Sequence, residues 1–244
     1  MTDQIIVWDL ETAPDAEALA RVHGRDQMSP EQVRQALGGE FPKLPIHRIV
    51  CIGALIASRS DEGWKVESLG APHIGERSEE ELISSFIERI RILKPQLITY
   101  NGDTFDLPVL RYRAMLHRID GSGLYARAYF NRYGEDALDL CDILASYNSR
   151  AKVSLDLLSR SLGLGGKPPT ISGANVARYI ESGRIQEVAD YCETDVVNTY
   201  RIWLLLEVFR GRLSREALKA SEDQLRSFVE PRFALKPHLR SLIV

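Results

Sequence analysis

The chain has 244 residues, 44% hydrophobic and 27% charged, which suits a folded globular protein with one substantial core. No apolar run approaches the length of a membrane span, and "MTDQIIVWDLET" lacks a basic start and runs directly into acids, unlike a secretory signal. A net charge of −3 and an isoelectric point near 6.0 do not advertise nucleic-acid binding, so such a role would need a local basic face or bound cations.

In chain order, "IIVWDL" (5–10) reads as a short buried strand. Residues 13–46 form an insertion with two short helices. The second opens with "SPEQ", where Ser29 caps, Pro30 fits the first turn and Gln32 completes a capping box. "GGEFPKLP" then breaks the chain. "RIVCIGALIAS" (48–58) predicts a second buried strand, and "WKVESL" (64–69) alternates after a turn at "SDEG", so the two make a hairpin. "SEEELISSFIERIRILK" is an amphipathic helix capped at Ser78, with acids in its first turn. "QLITYNG" is a fourth strand. "DLPVLRYRAMLHR" is a helix with Leu107, Leu110, Ala114 and Met115 on one side, and "ALDLCDIL" reads as a fifth strand. Helices follow at about 154–162, 172–181, 185–209 and 214–229, and the tail "ALKPHLRSLIV" carries no clear signal. An early hairpin followed by strand–helix–strand crossovers implies an α/β fold with a mixed sheet and helices packed on it. Cys51, Cys141 and Cys192 make no close pair and no CxxC. They read as small buried residues in a reducing, cytoplasmic compartment rather than as disulfides or a structural zinc site.

Acids stand at three places in this layout. Alternation puts Asp9 and Glu11 on the same side of the first strand, at the carboxyl end where α/β sheets place ligands. Two such carboxylates repel unless cations or protons intervene; otherwise they are solvated residues of a fraying strand. Asp106 precedes a helix with Pro108 in its first turn and can be an N-cap, a ligand, or both. Asp103, in the Asn101-Gly102 turn, is expected to be solvated. In the long helix, Val188, Cys192, Val196 and Thr199 make the core-facing stripe, and Tyr191 and Asp195 lie four residues apart along its margin. Glu193 falls on the far side and is expected in solvent; Glu187, one turn earlier, is a weaker candidate.

Taken in order, "WDLET", "YNGDTFDLPVL" and "YCETDVVNTY" resemble the motifs of DEDD-type 3′–5′ exonucleases of the tyrosine subtype, within the ribonuclease-H-like superfamily. The wording is most similar to the exonuclease domain of family-B DNA polymerases and to the stand-alone proteins related to it. The likeness runs from about residue 5 to about 203, and no stretch resembles polymerase palm or finger motifs. It implies a ribonuclease-H-like α/β fold with a mixed, mostly five-stranded sheet. It also implies an exonuclease domain over 1–210, with 211–244 packed on it as a C-terminal helix and tail. The implied ligand set is Asp9, Glu11, Asp106 and Asp195, holding two Mg²⁺ or Mn²⁺ ions. Hard divalent cations favour such oxygen ligands, and a pair of ions about 3.5–4 Å apart suits in-line phosphoryl displacement. Asp9 would be shared between the ions, and Tyr191, with an ordinary pKa near 10, would orient the attacking water rather than act as general base. The product would be a nucleoside 5′-monophosphate.

By the same resemblance, Leu10 and Thr12 meet the terminal nucleotide, and Asn101 and Phe105 lie along the substrate groove. Phe105 either stacks on a base or packs in the core. Arg111, Arg113, His117, Arg118, Lys152 and Lys167 could hold backbone phosphates, although each alone reads more simply as a surface cation. "GLGGKPP" lacks the spacing of a phosphate loop and reads as a linker. The partner is nucleic acid, DNA in preference to RNA, with no membrane role. Exoribonuclease activity at the same site and an inactive binding module are the alternatives. The retention of all four acids and Tyr191 argues against the latter. Whether the 13–46 insertion is a lid, a duplex-separating wedge or an interface stays open.

Overall fold

The alternation of strand β1 (Gln4–Pro14) organises the molecule. Its neighbours are β2 (His47–Arg59), antiparallel, and β4 (Gln96–Thr99), parallel. The hairpin partner β3 (Trp64–Gly70) and the short β5 (Ala137–Asp139) complete one mixed sheet in the order β3-β2-β1-β4-β5. The computed structural model describes residues 3–165, 171 and 173–243. Its helices are α1 (Ala16–Val22), α2 (Pro30–Leu37), α3 (Glu79–Leu93), α4 (Asp106–Leu116), α5 (Leu140–Leu144), α6 (Leu155–Ser161), α7 (Val176–Glu181), α8 (Ile185–Phe209) and α9 (Arg215–Val229). This is the α/β arrangement of a mixed, five-stranded sheet with helices packed on it that the motifs imply.

Successive β1 side chains enter different halves of the core. Ile5 and Val7 pack with Val196, Tyr200 and Trp203 of α8 and Leu225 of α9. Ile6, Trp8 and Leu10 pack with Leu82, Ile83 and Phe86 of α3 and Leu107 and Leu110 of α4. The expected caps form: Ser29–Gln32 and Ser78–Glu81 both make complete capping boxes. Lys167 and residues 166–169 of the expected linker, and Ser172 at an expected helix start, lie outside the described residues.

Several expectations need correction. "ALDLCDIL" is a strand only over Ala137–Asp139, because the Asp139 carboxylate accepts the N–H groups of Cys141 and Asp142 and starts α5. Met115 is exposed on α4, away from Leu107, Leu110 and Ala114. The tail folds as a 3₁₀ turn, Pro237–Leu242, whose Leu239 and Leu242 are buried with α8. Glu193 is therefore buried rather than solvated, ion-paired to Lys236 and 2.9 Å from His238 Nε2.

Arg113 is not a surface cation. Its guanidinium is buried, donating to Glu79 (Nε–Oε1 2.7 Å, Nη2–Oε2 2.6 Å) and to Asp15. Glu79 also accepts the Ile49 N–H at 2.7 Å, and His117 Nε2 lies 3.0 Å from it. Asp15 caps α1. One ion network thus joins the root of the insertion, the start of β2, and helices α3 and α4.

Candidate active site

Asp9 and Glu11 share the face of β1 that carries Ile5 and Val7, so they point toward α8. Asp9 stands opposite Gly53 of β2, and Glu11 opposite Cys51. A Cβ at Gly53 would lie 2.6 Å from Cys192 Sγ and 3.0 Å from Val196 Cγ2. The missing side chain is what lets α8 lie this close to the sheet. Cys192 Sγ stands 3.6 Å from Asp9 Oδ2, and Asp9, Glu11 and Cys192 bring ligand atoms within 4.8 Å of one another. Past Glu11 the β1–β2 register shifts, an irregularity of the kind that re-aims side chains near functional sites.

Helix α8 presents its margin here. Val188, Cys192, Val196 and Thr199 are buried as its spacing predicts, and Tyr191 and Asp195 are buried beside them. Burial pushes the Tyr191 phenol far above its ordinary value, and the charges of Asp195, Glu11 and Asp9 push it further. Three carboxylates from two elements therefore act on one hydroxyl and favour its protonated form.

Asp106 arrives from the far end of β4. The N-cap position of α4 belongs to Phe105, and Asp106 is the first helical residue. Rather than capping its own helix, its Oδ1 accepts the Leu10 N–H at 2.9 Å, between Asp9 and Glu11 in the chain. Burial raises Asp106 to about 7; the Leu10 amide opposes that, and the charges of Asp139 and Asp195 add to it. The turn before it is held by Asp139, which accepts the N–H groups of Asn101 (2.8 Å) and Asp103 (3.1 Å). Asn101 takes φ +66° there, a conformation asparagine tolerates. Asp103 is half-buried, 3.4 Å from Arg132 Nε, and burial raises its carboxyl, contrary to the solvated residue expected.

A family described as "Predicted 3'-5' exonuclease related to the exonuclease domain of PolB" matches residues 39–243. The chain belongs to this exonuclease family. The matched span contains Asp106, Tyr191 and Asp195; β1, with Asp9 and Glu11, precedes it and returns to the centre of the sheet through pairing with β2 and β4. Over 132 residues, 51% of its length, the chain is 31% identical to a DNA polymerase of Archaeoglobus fulgidus, covering 17% of that protein. Over 140 residues it is 33% identical to the catalytic polypeptide of DNA polymerase epsilon from Emericella nidulans, covering 53% of this chain and 6% of that one. A DNA polymerase of Pyrococcus glycovorans is 28% identical over 201 residues, 73% of this chain and 24% of its own length. The chain thus spans a quarter or less of the curated polymerases it matches. A product-bound exonuclease I structure aligns over 82% of this chain and 47% of its own, at 13% identity and a TM-score of 0.42.

The other candidate residues are more dispersed. The Leu10 side chain is buried against α3 and α4, so only its backbone faces the acids. Thr12 Oγ1 is 2.9 Å from His47 Nδ1. Asn101 is exposed, and its Oδ1 accepts from Lys152 Nζ at 2.8 Å. Phe105 is half-buried and touches the rings of His47 and Phe41. Arg111 lies over the Phe130 ring, and Lys152 pairs with buried Asp142 at 2.7 Å, so neither reads as a bare phosphate ligand. Glu187 pairs with Arg184 at the start of α8. Three contributors escape a reading of the sequence. Cys192 looks like core alone, Asp139 looks like strand interior although its place before a short helical run is a capping signal, and Gly53 looks like an ordinary strand residue. No helix among the described residues is long and apolar enough to cross a membrane.

The donor set fits divalent metal ions, which exonucleases of this kind generally use. Asp9 and Glu11 offer hard carboxylate oxygens at one point, and Asp106 carries a burial cost that a neighbouring cation would relieve.

Proposed function

We propose that this exonuclease removes nucleotides from the 3′ end of DNA, at single-stranded or frayed termini, and releases nucleoside 5′-monophosphates. The observation that carries the reading is the meeting of three elements. The α8 margin with Tyr191 and Asp195 lies against Asp9 and Glu11, and Asp106 is tied to the Leu10 amide between those two. In this reading Asp9, Glu11, Asp106 and Asp195 would hold two Mg²⁺ or Mn²⁺ ions. When bound, the ions would lower the pKa of the attacking water and offset charge on the leaving 3′ oxygen. Tyr191 keeps its proton and orients that water through its hydroxyl; its raised pKa supports this role over that of a base. The Leu10 amide holds Asp106 in place, and Cys192 and Gly53 set the distance between α8 and β1.

The test incubates the protein and Mg²⁺ or Mn²⁺ with 5′-labelled single-stranded DNA, mismatched duplex DNA and RNA. Stepwise shortening from the 3′ end with mononucleotide release, lost in Asp9→Ala, is the expected result. Internal cleavage, or undiminished activity in Asp9→Ala, would overturn the assignment. Preferential degradation of the RNA substrate would move the substrate class to RNA.

A further inference from the structure

Beside the acids stands an aromatic step to which the insertion contributes the exposed member. His47 opens β2, and its Nε2 lies 3.1 Å from the Pro42 carbonyl while Nδ1 lies 2.9 Å from Thr12 Oγ1. A carbonyl can only accept, so Nε2 carries the proton and the Thr12 hydroxyl donates to Nδ1. Both nitrogens are thereby engaged and the ring is neutral, in keeping with a pKa lowered by burial. Phe105 meets this fixed ring edge-on, with centroids 5.0 Å apart and planes at 90°. Phe41 leans on both, 4.8 Å from His47 and 5.7 Å from Phe105, yet it is 65% exposed. Thr12 directly follows Glu11, and Phe105 directly precedes Asp106. The three rings therefore gather where the chain leaves one of the four acids and approaches another.

Resting on the exonuclease reading above, we propose that Phe41, carried by the insertion and braced by His47 and Phe105, supplies a further stacking face for the nucleobase adjoining the scissile phosphate. The insertion would then be a substrate-binding element. Exposed aromatic faces are costly to leave in water, and a nucleobase covers them without sequence preference. The bracing makes the surface rigid, because His47 is fixed from both nitrogens and Phe105 is held at the start of α4.

The experiment measures steady-state degradation of single-stranded DNA oligonucleotides, one with an ordinary 3′ end and one with an abasic residue at the 3′ terminus. Wild type is compared with Phe41→Ala, Phe41→Leu and Phe41→Trp. Stacking of one base corresponds to roughly 5- to 150-fold. The expected result is a rise of that order in KM for Phe41→Ala and Phe41→Leu, with near-normal KM in Phe41→Trp. Wild type should discriminate against the abasic end, and Phe41→Ala should do so less. Because Phe41 is mostly exposed, an unchanged thermal midpoint should accompany the loss. Unchanged KM and abasic discrimination in Phe41→Ala would overturn this proposal while the exonuclease reading stands. Failure of the wild type to shorten any 3′ end would overturn both.

Discussion

Asp15 and Asp106 are buried alike, 5% and 4% exposed, and their carboxyl groups are displaced in opposite directions. Burial acts upward on both. At Asp15 the Ala18 amide and the Arg113 guanidinium outweigh it, and the carboxyl falls below its ordinary value. At Asp106 the Leu10 amide is insufficient, neighbouring Asp139 and Asp195 push the same way as burial, and the group rises to about 7. The difference separates two uses of buried acid. Around Arg113 the protein supplies its own cation and obtains a strut linking the insertion, β2, α3 and α4. Around Asp106 it gathers anions, an arrangement suited to a cation from solution.

Substitutions at the two extremes put this contrast at greatest risk. If the α8 acid belongs to the chemistry, Asp195→Asn should reduce turnover by about a thousandfold or more, since several kcal/mol of transition-state stabilisation depend on such ligands. Its unfolding midpoint should stay near wild type, as measured by thermal denaturation; a folded, fully active Asp195→Asn would end the distinction. Arg113→Met should do the reverse. It leaves Glu79 and Asp15 buried without their cation and should cost about 3–5 kcal/mol of stability in urea titration. Equal losses of stability in both variants would mean that the two clusters serve one structural purpose.

A smaller perturbation probes the spacing of the acid cluster. Gly53→Ala places a methyl within 2.6 Å of Cys192 Sγ and should destabilise by about 1–3 kcal/mol through overpacking. Activity should fall further than stability alone explains, because α8 carries Tyr191 and Asp195 away from Asp9. Normal turnover in the folded fraction would show that the α8–β1 distance is not critical.

The same contrast extends to pH dependence. A folded value raised from 3.8 to about 7 means that Asp106 contributes stability fully below the ordinary value and loses it as pH rises through about 7. With chelator present, the wild-type unfolding midpoint should therefore decline between about pH 4 and 7 more than that of Asp106→Asn, and Mn²⁺ at pH 7 should recover part of the difference. Asp15 works in the opposite sense: its lowered value gives stability above the ordinary carboxylate range that is lost as the solution is acidified through it. Parallel pH curves for wild type and Asp106→Asn would count against the raised value.

Much of this arrangement could be read along the chain because it depends on local period. Alternation alone set Asp9 and Glu11 on the α8 face with Ile5 and Val7. Spacing of four alone set Tyr191 and Asp195 on one margin of α8, and serine caps marked the starts of α2 and α3. What the period could not reveal were contacts between residues far apart in sequence. The Leu10 amide spans 96 positions to reach Asp106, the tail covers Glu193, Arg113 turns inward to Glu79 and Asp15, and Phe41 comes to rest on Phe105. The identity of a carboxylate or an arginine is visible in the sequence. Whether burial leaves it a strut, a ligand or a surface charge depends on which distant group desolvates or neutralises it, and only the tertiary structure decides that.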